Sequence, residues 1–244
     1  MSIYITGDVH RDFDRLFLFC EKTPTTREDV MIILGDAGIN YYLSDKDRLL
    51  KEGLSNLPLT LFCIHGNHEE RPFNLPGYQE QEWHGGKVYV EPDFPNLIFA
   101  KDGEIYDFDG KQYIVIGGAY SVDKHFRQSH GWQWFASEQP DETIKAYVEQ
   151  QLDKVHWTVD GVLSHTVPLD YEPTWAFLSG IDQSRVDKST EIWLGTLEKK
   201  LHYRYWFAGH YHVESQEGPI TLFFESVKTL AQAEADALAA MQKP

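Results

Sequence analysis

Short apolar segments recur along the chain, and nearly every one stops at a glycine beside a polar residue. Segments of this length, rich in Ile, Val, Leu, Phe and Tyr and bounded by turn formers, are typical of buried strands. Five of them and the residues that follow are 2–6 before Gly7-Asp8, 30–34 before Gly35-Asp36, 59–64 before His65-Gly66-Asn67-His68, 161–163 before Ser164-His165, and 203–208 before Gly209-His210.

Helical periodicity separates the first three of these strands. Residues 11–21 and 43–54 carry apolar side chains at spacings that line one face of a helix. An alternation of strand and helix predicts right-handed crossovers and a parallel sheet. In such sheets the ligand site lies beyond the carboxyl ends of the strands, and the polar residues above all follow such ends.

The rest of the chain changes character but shows no convincing linker. Residues 87–118 alternate around polar turns, which predicts an antiparallel meander. Helices are expected at 140–154 and 188–202, a closing strand at 219–226, and an Ala-rich C-terminal helix at about 227–242. We therefore expect a single domain over 1–244, with long active-site loops at 118–139 and 166–187.

Composition narrows the class of protein. The 244 residues carry 38 acidic and 22 basic side chains, a net charge of −16 that disfavours binding to bulk nucleic acid. Cys20 and Cys63 both lie in apolar stretches and are expected to be free thiols. The sequence shows no signal-peptide pattern and no apolar run approaching the roughly 20 residues that span a bilayer, so a cytoplasmic location without a membrane partner is expected.

The strand-end residues form a candidate metal-ligand set. Carboxylates, an amide oxygen and imidazoles are ligands that Mn²⁺, Fe²⁺ and Zn²⁺ accept, and the absence of cysteine argues against a structural zinc site. The set is too large for one ion and suits two, with Asp36 as the natural bridge between them. Its members are Asp8, His10, Asp36, Asn67, His68, His165, His210 and His212.

Five ordered blocks of these residues resemble the calcineurin-like metallophosphoesterase superfamily. The blocks are Gly7-Asp8-Val9-His10, Gly35-Asp36, Gly66-Asn67-His68-Glu69, His165, and Gly209-His210-Tyr211-His212, spanning residues 7 to 212. The resemblance implies an α/β fold, a four-layer α/β/β/α sandwich with two central mixed β-sheets flanked by helices. It also implies a centre of two divalent metal ions, with Mn favoured and Fe or Zn as alternatives.

The resemblance assigns a role to each member of the set. Asp8, His10 and His212 would bind the first metal, Asn67, His165 and His210 the second, with Asp36 bridging. The catalytic His68 would act as a general acid or stabilise the transition state. A metal-bridging hydroxide would attack phosphorus in a small phosphodiester, nucleotide or phosphomonoester, which makes the protein a hydrolase of phosphoric esters.

One departure from the Ser/Thr protein phosphatase branch affects the expected substrate. That branch carries an arginine soon after the bridging aspartate, whereas here Asp36 is followed by Ala37-Gly38-Ile39-Asn40. A protein phosphatase is therefore an alternative rather than the favoured assignment, and a non-catalytic scaffold of the same fold is a second alternative. Candidate contacts to phosphate oxygens are Arg11, Lys124, Arg127 and Arg185.

Overall fold

The computed structural model describes residues 1–242, which form six α-helices and thirteen β-strands. The helices are α1 (Asp14–Lys22), α2 (Asp45–Leu54), α3 (Lys124–Ser129), α4 (Glu142–Lys154), α5 (Ser189–Glu198) and α6 (Leu230–Met241). The strands are β1 (Ile3–Thr6), β2 (Val30–Ile33), β3 (Thr60–Cys63), β4 (Gln79–Trp83), β5 (Gly86–Val90), β6 (Leu97–Ala100), β7 (Ile105–Phe108), β8 (Lys111–Ile116), β9 (Gly161–Ser164), β10 (Tyr205–Ala208), β11 (Ser215–Glu217), β12 (Ile220–Leu222) and β13 (Lys228–Thr229). Residues 243 and 244, which the predicted domain includes, lie outside the described residues.

Two mixed sheets make up the centre of the molecule. The first has the order β13-β1-β2-β3-β6-β5-β4, with β1, β2, β3 and β6 parallel. The second has the order β11-β12-β10-β9-β8-β7, with β12, β10, β9 and β8 parallel. Antiparallel strands close both edges of each sheet. The parallel centre follows from the helical crossovers, as the alternating pattern predicts.

Alternate residues of the inner strands enter different apolar layers, because successive side chains of a strand point to opposite faces. In β1, Ile3 and Ile5 lie in the core between the two sheets, whereas Tyr4 belongs to the outer core of the first sheet. Val30 and Ile32 of β2 repeat the pattern. Burial of both faces explains why these segments are continuously apolar in sequence rather than alternating.

Helices cover the outer face of each sheet. Leu16 of α1 and Leu54 of α2 pack on the first sheet, and Leu152 of α4 and Leu194 of α5 pack on the second. The molecule is therefore the predicted α/β sandwich, with two mixed sheets between layers of helix. The side chain of Asp141 caps α4 by accepting a hydrogen bond from the Ile144 amide at 2.8 Å.

The structure departs from the sequence-based expectation in detail. The expected meander is divided, because β4 to β6 join the first sheet while β7 and β8 join the second. The helix expected at 188–202 ends at Glu198, and the segment at 227–242 begins with β13 before α6. Segment 118–139 contains α3, and segment 166–187 consists of short 3-10 turns and irregular backbone. None of the described helices combines the length and apolar character needed to cross a bilayer.

Candidate metal centre

The predicted ligands meet where the carboxyl ends of the two sheets face each other. Loops after β1, β2 and β3 supply ligands from the first sheet, and loops after β9 and β10 supply them from the second. Four of these residues adopt left-handed backbone conformations: His10, Asp36, His210 and His212 have φ angles of 48°, 49°, 70° and 53°. Each such conformation costs about 1 kcal/mol or more for a residue with a side chain, and clusters of them mark functional sites.

Three overlapping groups of side chains bring their ligand atoms within 4.8 Å of one another. They are Asp8 with His10 and His212, His10 with Asp36 and His68, and Asp8 with Asp36 and His165. In the first group the Nε2 atoms of His10 and His212 lie only 2.9 Å apart, and His212 Nε2 lies 3.2 Å from Asp8 Oδ2. The overlaps make Asp8, His10 and Asp36 shared members of a continuous cluster.

His165 and Asn67 present two electron-rich atoms to the same space. His165 Nδ1 lies 2.8 Å from the Leu34 carbonyl oxygen, which can only accept, so Nδ1 carries the proton and a neutral ring has its lone pair on Nε2. Asn67 donates from Nδ2 to Ser121 Oγ at 3.0 Å, which directs Oδ1 to within 2.9 Å of His165 Nε2. Asp36 Oδ2 lies 3.6 Å from the same nitrogen. Three acceptors converging on one point are suited to a cation.

His210 lies beside the groups described above but belongs to none of them. Its ring contacts that of His165 edge-on, with centroids 4.9 Å apart, and its amide donates to Asp8 Oδ1 at 2.8 Å. Burial, together with the nearby His165, lowers the pKa of His210 to about 3. The imidazole is therefore neutral and keeps a lone pair for a ligand, as metal binding requires.

A buried carboxylate oxygen shows that the donor set fits a divalent metal. Asp8 Oδ2 is buried without a hydrogen-bond partner among the described residues, an arrangement that costs free energy unless something neutralises it. Burial opposes ionisation of Asp8, yet the nearby imidazoles of His10 and His212 hold its pKa well below the usual value. A cation bound among these imidazoles would give the ionised Asp8 oxygen the partner that it lacks. The residues present therefore fit the metals that the resemblance implies.

Glycines bring the ligand loops into direct contact. A Cβ on Gly66 would lie 2.0 Å from Asp36 Oδ1, and a Cβ on Gly209 would lie 2.2 Å from Asp8 Oδ1. Both distances are far shorter than any real contact. The backbones at these two positions therefore approach the carboxylates as closely as they do because no side chain is present.

Electrostatic effects within the cluster oppose one another. Burial lowers the pKa of His10, but the Asp8 carboxylate, whose Oδ2 lies 3.7 Å from His10 Nε2, and the charge of Asp36 outweigh burial and raise that pKa to about 9. Burial and the charge of Asp36 raise the pKa of Glu69 to about 8. The Glu69 carboxyl accepts from the amides of Gly38 and Gly66 at 3.1 and 3.3 Å, which joins the loops after β2 and β3.

His68 lies at the rim of the cluster, in a cavity of about 170 Å³ that it shares with His10 and Tyr41. Its amide donates to Asp36 Oδ1 at 2.7 Å, and its ring meets the His10 ring edge-on. Burial lowers the pKa of His68, while the charge of Asp36 opposes this change and Arg127 reinforces it. The imidazole is thus neutral near pH 7 and is placed beside the cluster rather than within it.

The four basic candidates for substrate contacts occupy different environments. Arg11 is engaged with its neighbours, because Nη1 donates to Gly38 O at 2.7 Å and to Asp47 Oδ1 at 2.6 Å. Lys124 places Nζ 3.9 Å from the centre of the Trp134 ring, and Arg185 is exposed in a 3-10 turn.

Arg127 is the candidate with free donors. Its side chain is 1% exposed, and Nη1 donates to Ser121 Oγ at 3.2 Å, while Nε and Nη2 are buried without a partner among the described residues.

Sequence reasoning missed Ser121, whose hydroxyl contacts Asn67 and Arg127 at once. It also gave no role to Arg15, whose Nη2 donates to the Gly7 carbonyl at 3.0 Å and fixes the first ligand loop. Nothing in the local sequence distinguishes either residue from an ordinary surface serine or helical arginine. Only the fold brings them to the cluster.

Comparison with known proteins gives a consistent picture of the fold. The sequence model of a family described as calcineurin-like phosphoesterase matches residues 1–214. One crystal structure shares 12% identity, with coverage of 95% of this chain and 96% of the other and a TM-score of 0.50, which concerns the fold alone. No curated protein matches significantly.

Two further solved structures have lower TM-scores. The protein TT1561 of Thermus thermophilus shares 14% identity, with coverage of 93% of this chain and 97% of the other and a TM-score of 0.49. A protein serine/threonine phosphatase from Saccharomyces cerevisiae, with similarity to human phosphatase PP5, shares 15% identity over 92% of this chain and 67% of the other, with a TM-score of 0.31.

Proposed function

The chain belongs to the calcineurin-like phosphoesterase family, and on this premise we propose that it hydrolyses a small phosphodiester, nucleotide or phosphomonoester with the help of two divalent metal ions. The observation that carries the proposal is the convergence of buried oxygen and nitrogen donors, with Asp8 Oδ2 left unpartnered, at the carboxyl ends of both sheets. Family membership supports metal-dependent phosphoester hydrolysis in general. The substrate and the residue roles below are our inference.

The ligands divide between the two ions as the resemblance implies. Asp8, His10 and His212 would hold one ion, and Asn67, His165 and His210 the other, with Asp36 shared between them. The close approach of Asp8, His10 and His212 supports the first group, and the acceptors that surround His165 support the second. The ions, for which Mn is favoured and Fe or Zn are alternatives, would supply Lewis-acid stabilisation of charge and a water of lowered pKa.

His68 would interact with the reacting ester directly. It faces the small cavity beside His10 and is not needed as a ligand. Because burial lowers its pKa, the neutral imidazole would donate one hydrogen bond to an oxygen of the phosphoryl group, and protonation to a general acid would require the added negative charge of a bound substrate.

The absence of an arginine soon after Asp36 favours a small ester over a phosphoprotein. Arg127 of α3 has buried, unpartnered donors, so a phosphate oxygen would give those donors the acceptor they lack. Arg11 is engaged with Asp47 and would contribute less, and Lys124 and Arg185 would contact the substrate from the rim. A Ser/Thr-type protein phosphatase is the second candidate, and the net charge of −16 disfavours a nuclease of long polymers.

A hydrolysis panel in Mn²⁺ tests the proposal. It compares a phosphomonoester, a phosphodiester, cyclic nucleotides and a phosphopeptide, with and without chelator. We expect chelation and Asn67→Ala to abolish turnover, and His68→Ala to lower kcat by about 10²- to 10⁴-fold. The exposed His202 offers a matched histidine control, since His202→Ala removes the same side chain far from the cluster. Full activity in His68→Ala would reject its role, and no hydrolysis of any ester by wild type would favour a non-catalytic scaffold.

A further inference from the structure

A second cavity, of about 330 Å³, opens directly beside the candidate metal centre. Its lining includes His210 and His212 and, from the segment after β9, Phe177, Leu178 and Ile181. A volume of this size suits a small organic group. Any group held there would therefore lie next to the atoms proposed to act on phosphorus, as the ester substituent of a substrate would.

The lining offers flat aromatic surface. The rings of Phe177 and Tyr211 are nearly parallel, with 18° between their planes and 6.2 Å between their centroids. Val122 and Val186 add aliphatic surface on the sides. Parallel aromatic rings with apolar neighbours favour a planar, aromatic occupant, because any base can stack on such rings through its π-face.

One polar atom in the cavity wall lacks a partner. Glu191 is 4% exposed, and its Oε1 accepts from Thr166 Oγ1 at 2.9 Å, whereas Oε2 is buried without a hydrogen-bond partner among the described residues. Burying such an oxygen costs free energy, which a ligand that donates a hydrogen bond would recover. Glu191 Oε2 is thus a site at which a ligand could donate a hydrogen bond.

The charges around the cavity disfavour an anionic occupant. Among its lining residues that the structure describes, none is a lysine or an arginine, and Lys188, whose Nζ lies 4.7 Å from the centre of the Phe177 ring, is paired with Glu172. Glu172, also in the lining, pairs with Lys188 at 2.6 Å, and Asp187 accepts from the Ser189 amide at 2.9 Å, so both already have partners. The Glu191 oxygen is the acceptor that remains for a neutral ligand.

We propose that this cavity is a base pocket, in which the aromatic base of a nucleoside phosphate ester stacks on Phe177 and Tyr211 and donates from an exocyclic amino group to Glu191 Oε2. The inference rests on the proposed function for the chemistry at phosphorus and names the substrate class of that site. A base with a carbonyl or hydrogen in place of the amino group leaves Glu191 unpartnered and binds more weakly.

Nucleoside binding to the metal-free protein tests the pocket apart from catalysis. Calorimetric titration of chelator-treated wild type compares adenosine with purine riboside, which lacks only the exocyclic amino group. We expect adenosine to bind about tenfold more tightly, as one hydrogen bond to a buried carboxyl implies. Glu191→Leu should abolish this preference, Glu191→Gln should keep part of it through its carbonyl oxygen, and Glu198→Leu on the same helix should leave it unchanged.

Different outcomes separate the pocket from the proposed function. Equal affinity of wild type for the two nucleosides, or binding of neither in a protein that hydrolyses esters in Mn²⁺, overturns the base pocket alone. Preferential adenosine binding by a protein that hydrolyses nothing overturns the proposed function alone. The comparison of nucleosides on wild type remains decisive even if Glu191→Leu does not fold.

Discussion

The Ser121 hydroxyl joins the candidate metal centre to Arg127 of α3, and Ser121→Ala isolates its contribution. Ser121 is 1% exposed, and its Oγ accepts from Asn67 Nδ2 at 3.0 Å and from Arg127 Nη1 at 3.2 Å. Alanine would leave both donors buried without an acceptor. Arg127 would lose its last close hydrogen bond, since Nε and Nη2 already have none. We expect the metal-free protein to lose about 2 kcal/mol of unfolding free energy.

The same substitution should weaken metal binding through Asn67. With Ser121 Oγ in place, the Asn67 amide is fixed with Oδ1 toward His165 Nε2 at 2.9 Å. Without it the amide rotates freely and offers its oxygen to a metal only part of the time. Partners that orient metal ligands typically account for about 10- to 100-fold in affinity, or about 1.4 to 2.7 kcal/mol.

Two measurements separate these effects. Urea unfolding of the chelator-treated proteins gives the stability change, and calorimetric titration with Mn²⁺ gives the affinity. Ser129→Ala is the matched control, because the exposed Ser129 hydroxyl lies in the same segment and donates to the nearby Phe126 carbonyl, with the adjacent His130 Nδ1 at 3.1 Å. Wild-type Mn²⁺ affinity in Ser121→Ala would refute the orienting role, whatever happens to stability.

Two further predictions concern Gly209 and Glu191. Gly209→Ala would place a Cβ 2.2 Å from Asp8 Oδ1 and 2.8 Å from the Leu34 carbonyl. The thermal stabilisation by Mn²⁺ should therefore be lost while the circular dichroism of the sheets is retained. An Mn²⁺-induced shift in Tm as large as that of wild type would contradict this expectation. Burial raises the pKa of Glu191 to about 7, above its ordinary 4.5, so the unfolded chain ionises first and stability falls as pH rises between these values. Glu191→Gln cannot ionise and lacks this penalty. Its free energy of unfolding in urea should exceed that of wild type by a margin about 2 to 3 kcal/mol larger at pH 8 than at pH 5. A margin independent of pH would refute this reasoning.

The strands and part of the convergence of the candidate ligands were predictable because the signals are local. Continuous apolar segments such as 30–34 report burial on both faces, and a parallel sheet gathers their carboxyl ends at one edge. The positions of Asp8 and Asp36 after two such segments predict that they converge, whereas His165 follows β9 of the second sheet and reaches them because the two sheets pack face to face. The division of the expected meander was not predictable, since the segments before and after Lys101 have the same alternating pattern although they belong to different sheets.

The partners of the ligands could not be predicted because they are distant in sequence. Asn67 and Ser121 are 54 positions apart, and the fold brings together the loops that carry them. The hydrogen bond between Thr166, next to His165, and Glu191 of α5 likewise joins residues 25 positions apart. Arg11 illustrates a different limit of the sequence pattern. Its place after His10 suggested a phosphate contact, whereas the fold brings Asp47 to its guanidinium, so a residue type beside a motif does not fix where its charge is used.

The glycines at the strand ends carry information that the sequence pattern expresses only indirectly. One explanation for a glycine at a turn is a left-handed backbone conformation. Gly35, with a φ of +99°, is such a case. Gly66 and Gly209 do not, because neither has a positive φ. Their missing side chains instead let one loop lie against a carboxylate of another loop. A glycine beside a polar residue at these two ends thus encodes contact between loops, and it is this contact that brings ligands from remote positions to a common centre.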